Sequence, residues 1–86
     1  MGKYSVRYTE AFYKSLGPIP KKDVKRLLQK TRSLAENPRP PGSQKLAGQE
    51  KYRIRQGNYR IIYKIEDDRL IVIVVKVGHR REVYDR

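Results

Sequence analysis

Residues 52–63, Tyr52-Arg53-Ile54-Arg55-Gln56-Gly57-Asn58-Tyr59-Arg60-Ile61-Ile62-Tyr63, decide the fold. Bulky residues alternate with cations on either side of Gly57-Asn58, and that dipeptide suits a two-residue type II′ hairpin. With those two residues as the turn, Gln56 opposes Tyr59, Arg55 opposes Arg60 and Arg53 opposes Ile62, and opposed residues share a sheet face. Arg53, Arg55 and Arg60 then point one way, and Tyr59, Ile61, Tyr63 and Ile65 the other. A register slip of one residue would part Arg60 from the other two.

Working outward, the strands of the hairpin span Lys51 to Gln56 and Tyr59 to Glu66, and a further strand spans Leu70 to Val77. That last strand is apolar on both alternating faces except at Lys76, the pattern of a central strand covered on both sides. Asp67-Asp68 reads as a second tight turn, which sets Arg60 opposite Val75 and carries Val77 and His79 onto the arginine face. Upstream, Tyr4, Val6 and Tyr8 alternate with Lys3, Ser5 and Arg7 in a first half-buried strand. Thr9 suits an N-cap for a short helix with Phe12, Tyr13 and Leu16, stopped by Gly17-Pro18. Pro20 opens a second helix, in which Val24, Leu27, Leu28, Thr31, Leu34 and Ala35 recur with helical spacing until Asn37-Pro38. Residues 37–43 form an extended, proline-rich connector, followed by a short segment from Gln44 to Leu46. The expected architecture is α+β, two N-terminal helices packed on one face of a small, mostly antiparallel sheet of four to five strands, in a single domain over residues 1–86.

Composition narrows the function. The chain has 21 Lys plus Arg against 9 Asp plus Glu, a formal charge of +12, so its expected partners are polyanions: nucleic acid or a strongly acidic protein. With no cysteine and one histidine there is no thiolate or His-rich zinc set to assemble. The longest apolar run, Leu70 to Val75, falls far short of the roughly 20 residues of a membrane span, and a soluble, cytoplasmic protein is expected.

Like charges facing one another across strands repel, so Arg53, Arg55 and Arg60 on one patch call for a compensating anion such as a phosphate backbone. The same arginines also fit an ordinary solvated surface, and His79 fits a capping residue beside Gly78. Asp67-Asp68 is explained by its turn. Tyr84, in a polar tail, is free to stack on a base. Ile71, Ile73 and Val75 make part of the arginine face apolar and in need of cover, from the C-terminal tail or from a partner.

Taken together, Asn37-Pro38-Arg39-Pro40-Pro41-Gly42, Lys45-Leu46-Ala47-Gly48, Tyr52-Arg53-Ile54-Arg55, Tyr59-Arg60-Ile61-Ile62-Tyr63 and Val77-Gly78-His79-Arg80 resemble, in order and over nearly the whole chain, the RelE/ParE superfamily of toxin–antitoxin toxins. The resemblance to its RelE-like branch implies a ribosome-dependent endoribonuclease that enters the 30S A site. There it would cleave mRNA by attack of a ribose 2′-OH on the adjacent phosphate, with no metal or other cofactor, and so inhibit translation. It also implies silencing by an acidic, RelB-like antitoxin in a hetero-oligomer. Arg53 and Arg55 match a basic pair that is often lysine in the family. Arg60 matches the arginine on the scissile phosphate, Arg80 the arginine near the leaving group and Tyr84 the tyrosine that holds the base. Lys45 and Arg81 add phosphate-binding cations. His79 stands where members carry lysine or histidine. Imidazole, with an ordinary pKa near 6.5, suits proton transfer better than guanidinium, whose pKa exceeds about 12. ParE-type members share the fold, lack the catalytic set and poison DNA gyrase. A basic RNA-binding module without activity is the third reading.

Overall fold

The computed structural model describes residues 3–48 and 50–79. Along the chain run β1 (Ser5–Tyr8), α1 (Glu10–Ser15), α2 (Lys21–Ser33), β2 (Gln44–Lys45), β3 (Lys51–Gln56), β4 (Tyr59–Glu66), a 3₁₀ turn (Asp67–Arg69) and β5 (Ile71–His79). The strands form one sheet in the order β1-β5-β4-β3-β2, in which β1 runs parallel to β5 and the other pairs are antiparallel. The doubly apolar strand is thus internal, between β1 and β4. It starts one residue later than its apolar run implies and extends through His79, while α2 ends at Ser33, before the proline that was expected to stop it.

Both helices lie on one sheet face, α1 against β5 and α2 against β3. Phe12, Leu27, Leu34, Ile54, Ile61, Tyr63, Val72, Val74 and Val77 form the dry core between them. Thr31 is buried with these groups, and its hydroxyl donates to the Leu28 carbonyl at 2.8 Å while Tyr8 donates to it at 2.7 Å. The Tyr63 hydroxyl, equally buried, donates to the Pro38 carbonyl at 2.8 Å, and burial pushes its pKa up to about 12. That bond ties the proline-rich connector onto the sheet.

A second clasp holds the connector from outside. Arg39 donates through both terminal nitrogens to Asp67, at 3.1 and 2.8 Å, and through Nε to the Tyr52 hydroxyl at 3.1 Å. Tyr4 donates to the same carboxylate at 2.7 Å. The Arg39 guanidinium, then the Tyr4 hydroxyl, hold Asp67 down to about 2. Asp67 is therefore both a turn residue and the anchor of the connector that leads into β2.

The β3–β4 hairpin has the expected register, with Arg55 opposite Arg60 and Arg53 opposite Ile62. Gly57 sits at φ 60° and Asn58 keeps a negative φ, as a type II′ turn requires. The β4–β5 register is different from the one expected. The connection is a three-residue 3₁₀ turn closed by Leu70 at φ 54°, in place of a two-residue turn at Asp67-Asp68. Farther along, Tyr63 pairs with Val74 but Ile62 with Lys76, so Val75 bulges out unpaired. Arg60 consequently faces Gly78, and Val75 is not its partner. The longer turn moves the register by two residues and leaves each side chain on its face; the bulge adds one and reverses the face of everything beyond it.

The bulge is stabilised by Thr9. Its Oγ1 donates to the Val75 carbonyl at 2.6 Å and accepts from the Phe12 amide at 3.0 Å, and its own amide donates to the Val74 carbonyl at 3.1 Å. One residue therefore caps α1 and satisfies the backbone that the bulge frees. Ser15, at the end of α1, accepts from the Val77 amide at 3.2 Å just beyond it.

Candidate functional site

On the sheet face away from the helices, alternation brings together Arg53, Arg55 and Arg60, joined by Lys51 opposite Lys64 and by Lys76 opposite Ile62. Glu66, at the far end and paired with Arg69 at 3.2 Å, is the single acid among the described strand residues. A small apolar patch, with Leu46 and Ile62 buried and Val75 packed against them, lies among the cations and anchors the strands there.

The arginines are held differently. Gln44, which pairs with Arg53 across β2–β3, accepts from both Nε and Nη2 of Arg53, the former at 3.0 Å, and so fixes the guanidinium in plane. Arg55 is exposed. Arg60 is half-buried, and its Nε is sealed from water with no hydrogen-bond partner among the described residues. An unsatisfied buried donor costs on the order of 1–3 kcal/mol, and here it sits on a cation facing another arginine. An oxyanion held by the outer edge of the Arg60 guanidinium would offset the repulsion from Arg55.

His79 is not in this group. Because of the bulge at Val75, it pairs with Tyr59 on the helix face, and the two rings meet edge to face at 6.0 Å. The expected convergence of His79 with the arginines is thus corrected: they lie on opposite faces at the same end of the sheet. The Tyr59 hydroxyl donates to Asp23 of α2 at 3.0 Å, and desolvation followed by that bond raises its pKa and keeps it a donor. Lys45 also lies off the arginine face: it pairs with Tyr52 and lies 3.9 Å from Glu50. Arg80, Arg81 and Tyr84 lie outside the described residues.

Reading the sequence alone did not single out Gln44, whose role depends on a two-residue strand too short to show alternation. Nor did it find Asp23, an ordinary first-turn acid of a helix until Tyr59 is seen beneath it. Among the described residues no group of acids and histidine is placed to hold a metal ion, and no helix is long and apolar enough to cross a membrane.

Comparison with known proteins gives the family. The sequence profile of ParE toxins of type II toxin–antitoxin systems, parDE, matches residues 6–84. The chain belongs to this family, within the RelE/ParE superfamily. A putative RelE-like toxin protein of Escherichia coli is 31% identical, over 96% of this chain and 92% of its own. Toxin RelG of Mycobacterium tuberculosis is 29% identical, over 96% and 98%. Among solved structures, the archaeal RelE–RelB complex of Pyrococcus horikoshii superposes with a TM-score of 0.81 at 28% identity, covering 94% of this chain and 99% of that one. A RelBE toxin–antitoxin complex of Mycobacterium tuberculosis gives 0.81 at 25% identity, covering 91% and 99%.

Proposed function

We propose that this toxin is an endoribonuclease that cleaves mRNA in the ribosomal A site, arresting translation and growth. The observation that carries the reading is the facing of Arg55 and Arg60, with Arg53 on the same sheet face and with Gly78, which adds no side chain, as the other neighbour of Arg60. In the reaction the substrate's 2′-OH loses its proton, O2′ attacks phosphorus and the P–O5′ bond breaks. The products are a 2′,3′-cyclic phosphate and a 5′-OH. Arg53, Arg55 and Arg60 bind the phosphate and stabilise the charge that grows on its oxygens, the part of the chemistry for which guanidinium is best suited. Guanidinium is a poor proton acceptor and donor, so these cations act by easing ionisation of the 2′-OH, with water or hydroxide taking that proton and water supplying one to O5′ as it leaves. Arg80 near the leaving oxygen and Tyr84 on the base complete the set carried over from the family. His79, whose cross-strand neighbour is Tyr59, is assigned to contact with RNA next to the cleaved linkage rather than to proton transfer at it. An acidic RelB-like antitoxin is the proposed partner that covers the cationic face, in keeping with the antitoxin complexes among the structural neighbours.

Primer extension on an mRNA under translation in a purified system tests this directly. Cuts at A-site codons that vanish when ribosomes are omitted are expected. A second reading, a ParE-like poison of DNA gyrase, draws on the ParE profile that matches the chain. It requires growth arrest without such cuts, and loss of gyrase supercoiling activity in a purified assay.

A further inference from the structure

β2 covers β3 only at Tyr52 and Arg53, so the edge of β3 from Ile54 to Gln56 is open, and α2 passes beside it. Cavities that share walls follow this edge. One of about 310 Å³ wraps around it, joining Arg53 and Arg55 of the cationic face to Lys30 of α2. The next shares Lys30 and adds Arg26 and Gln56. A third, of about 220 Å³, shares Arg26 and Gln56 and reaches Tyr59 and His79 beside the hairpin tip. The last, of about 390 Å³, lies on the other side of the Tyr59–His79 pair and is walled by Pro18, Ile19 and Val77. The trough thus starts at the arginine site, turns round the open strand edge between cations, and ends at two aromatic rings and an apolar wall. Its acid, Asp23, is occupied by the Tyr59 hydroxyl.

We propose that this trough is the path of single-stranded RNA flanking the cleaved linkage, with Lys30 and Arg26 on successive phosphates and one base seated against His79 and Tyr59. The inference rests on the nuclease reading above and extends it to a site on the opposite side of the sheet. Its logic is that of single-strand tracks in general: cations follow the backbone and an aromatic terminus stacks a base without demanding a particular one. Between the arginine site and the hairpin tip the cations alternate with Gln56, so that stretch attracts a polyanion, while Asp23 stands at the tyrosine end. Asp23 fixes the Tyr59 ring beside the imidazole of His79.

The test is a ¹⁵N-HSQC titration of the full chain with 2′-O-methyl oligouridylates, which cannot be cleaved by 2′-OH attack. With an octanucleotide, shifts are expected at Arg53, Arg55 and Arg60 and also at Lys30, Arg26, Gly57 and His79. A tetranucleotide should move only the arginine group. Arg26→Gln and Lys30→Gln should each weaken the octamer roughly three- to tenfold, lower the slope of log affinity against log salt by about 0.7, and leave the tetramer unaffected. If both oligonucleotides shift only the arginine group, the track is overturned and the nuclease site survives. Absence of saturable shifts anywhere would overturn the track as well, and the primer-extension assay with ribosomes then decides the nuclease reading separately. Poly-glutamate of equal charge matching the octamer in affinity and shift pattern would overturn the RNA track in favour of an acidic peptide. The spectrum of each variant without RNA reports whether it is folded, so a loss of binding is not confused with a loss of structure.

Discussion

The two faces of the sheet are built from alternate residues of the same strands, yet they do opposite work. On the helix face, Ile54, Ile61, Tyr63, Val74 and Val77 are sealed beneath α1 and α2, and their burial supplies most of the stability of a short chain. On the other face, Arg53, Arg55, Arg60 and the neighbouring lysines gather charge that opposes folding and that, in the function proposed above, holds a phosphate. Stability and function are separated by one residue of strand periodicity. The chain can thus carry an electrostatic site as costly as facing arginines, because the cost is borne by a core that shares no side chain with it.

Substitutions on the two faces test that separation. Phe12→Ala on the core face should lower unfolding free energy by about 3–5 kcal/mol, read by chemical denaturation. A loss below about 1 kcal/mol would show that the helices contribute little to the fold. Arg60→Ala on the other face should reduce ribosome-dependent cleavage by at least about a hundredfold, or about 2.7 kcal/mol of transition-state stabilisation. Its denaturation midpoint should stay the same or rise, since an unpaired buried donor and a like-charge contact go with it. If both activity and stability collapse, the faces are not independent.

Thr9→Val tests the joint between them. It removes both bonds of Oγ1, to the α1 amide and to the bulge carbonyl, and should cost about 1–2 kcal/mol. The Tyr59 and His79 amide resonances should move with it, because the bulge sets their face. A variant as stable as the parent, with those resonances in place, would mean the bulge stands without Thr9.

The clasp on Asp67 gives a smaller, pH-dependent effect. Its carboxyl is depressed from 3.8 to about 2 by Arg39 and then Tyr4, so its contribution is complete above about pH 4 and is lost as pH falls through about 2. Asp67→Asn should flatten the acid limb of the stability curve in that interval. Both groups are exposed at this site, so the effect above pH 5 should be small. A parent and variant with parallel acid limbs would exclude Asp67 as the source.

The mechanism carries its own pH signature. If, as proposed, no imidazole stands at the cleaved linkage, single-turnover cleavage should rise steadily between about pH 5 and 8 as the 2′-OH ionises more readily. His79→Ala should shift affinity for longer RNA without bending that profile. A parent profile that levels off within that range and loses the plateau in His79→Ala would return the histidine to proton transfer.

The hairpin was legible because two independent signals agree there. Gly57-Asn58 has turn chemistry that few other conformations favour, and the flanking residues alternate cleanly, so the facing of Arg55 and Arg60 follows. Thr9 as an N-cap and the periodic face of α2 were legible for the same reason: each is a local rule about neighbours in sequence. The placement of His79 was not legible. β5 is apolar at odd and even positions alike, so an extra residue leaves no break in its pattern, and Leu70 gives no sign that it will take a positive φ. The parallel docking of β1 on β5 and the pairing of Gln44 with Arg53 depend likewise on segments far apart in the chain.

By itself, then, the sequence determined the α+β class, the two-helix layer, the arginine-bearing hairpin and the family resemblance, because alternation, helical period and turn chemistry act over a few neighbouring residues. Tertiary structure alone decided which face receives His79, that Arg60 is left with a buried donor, and that an open strand edge joins the arginines to the tyrosine–histidine pair. Each of these depends on a register summed over a turn and a bulge, and a single unpaired valine is enough to reverse it.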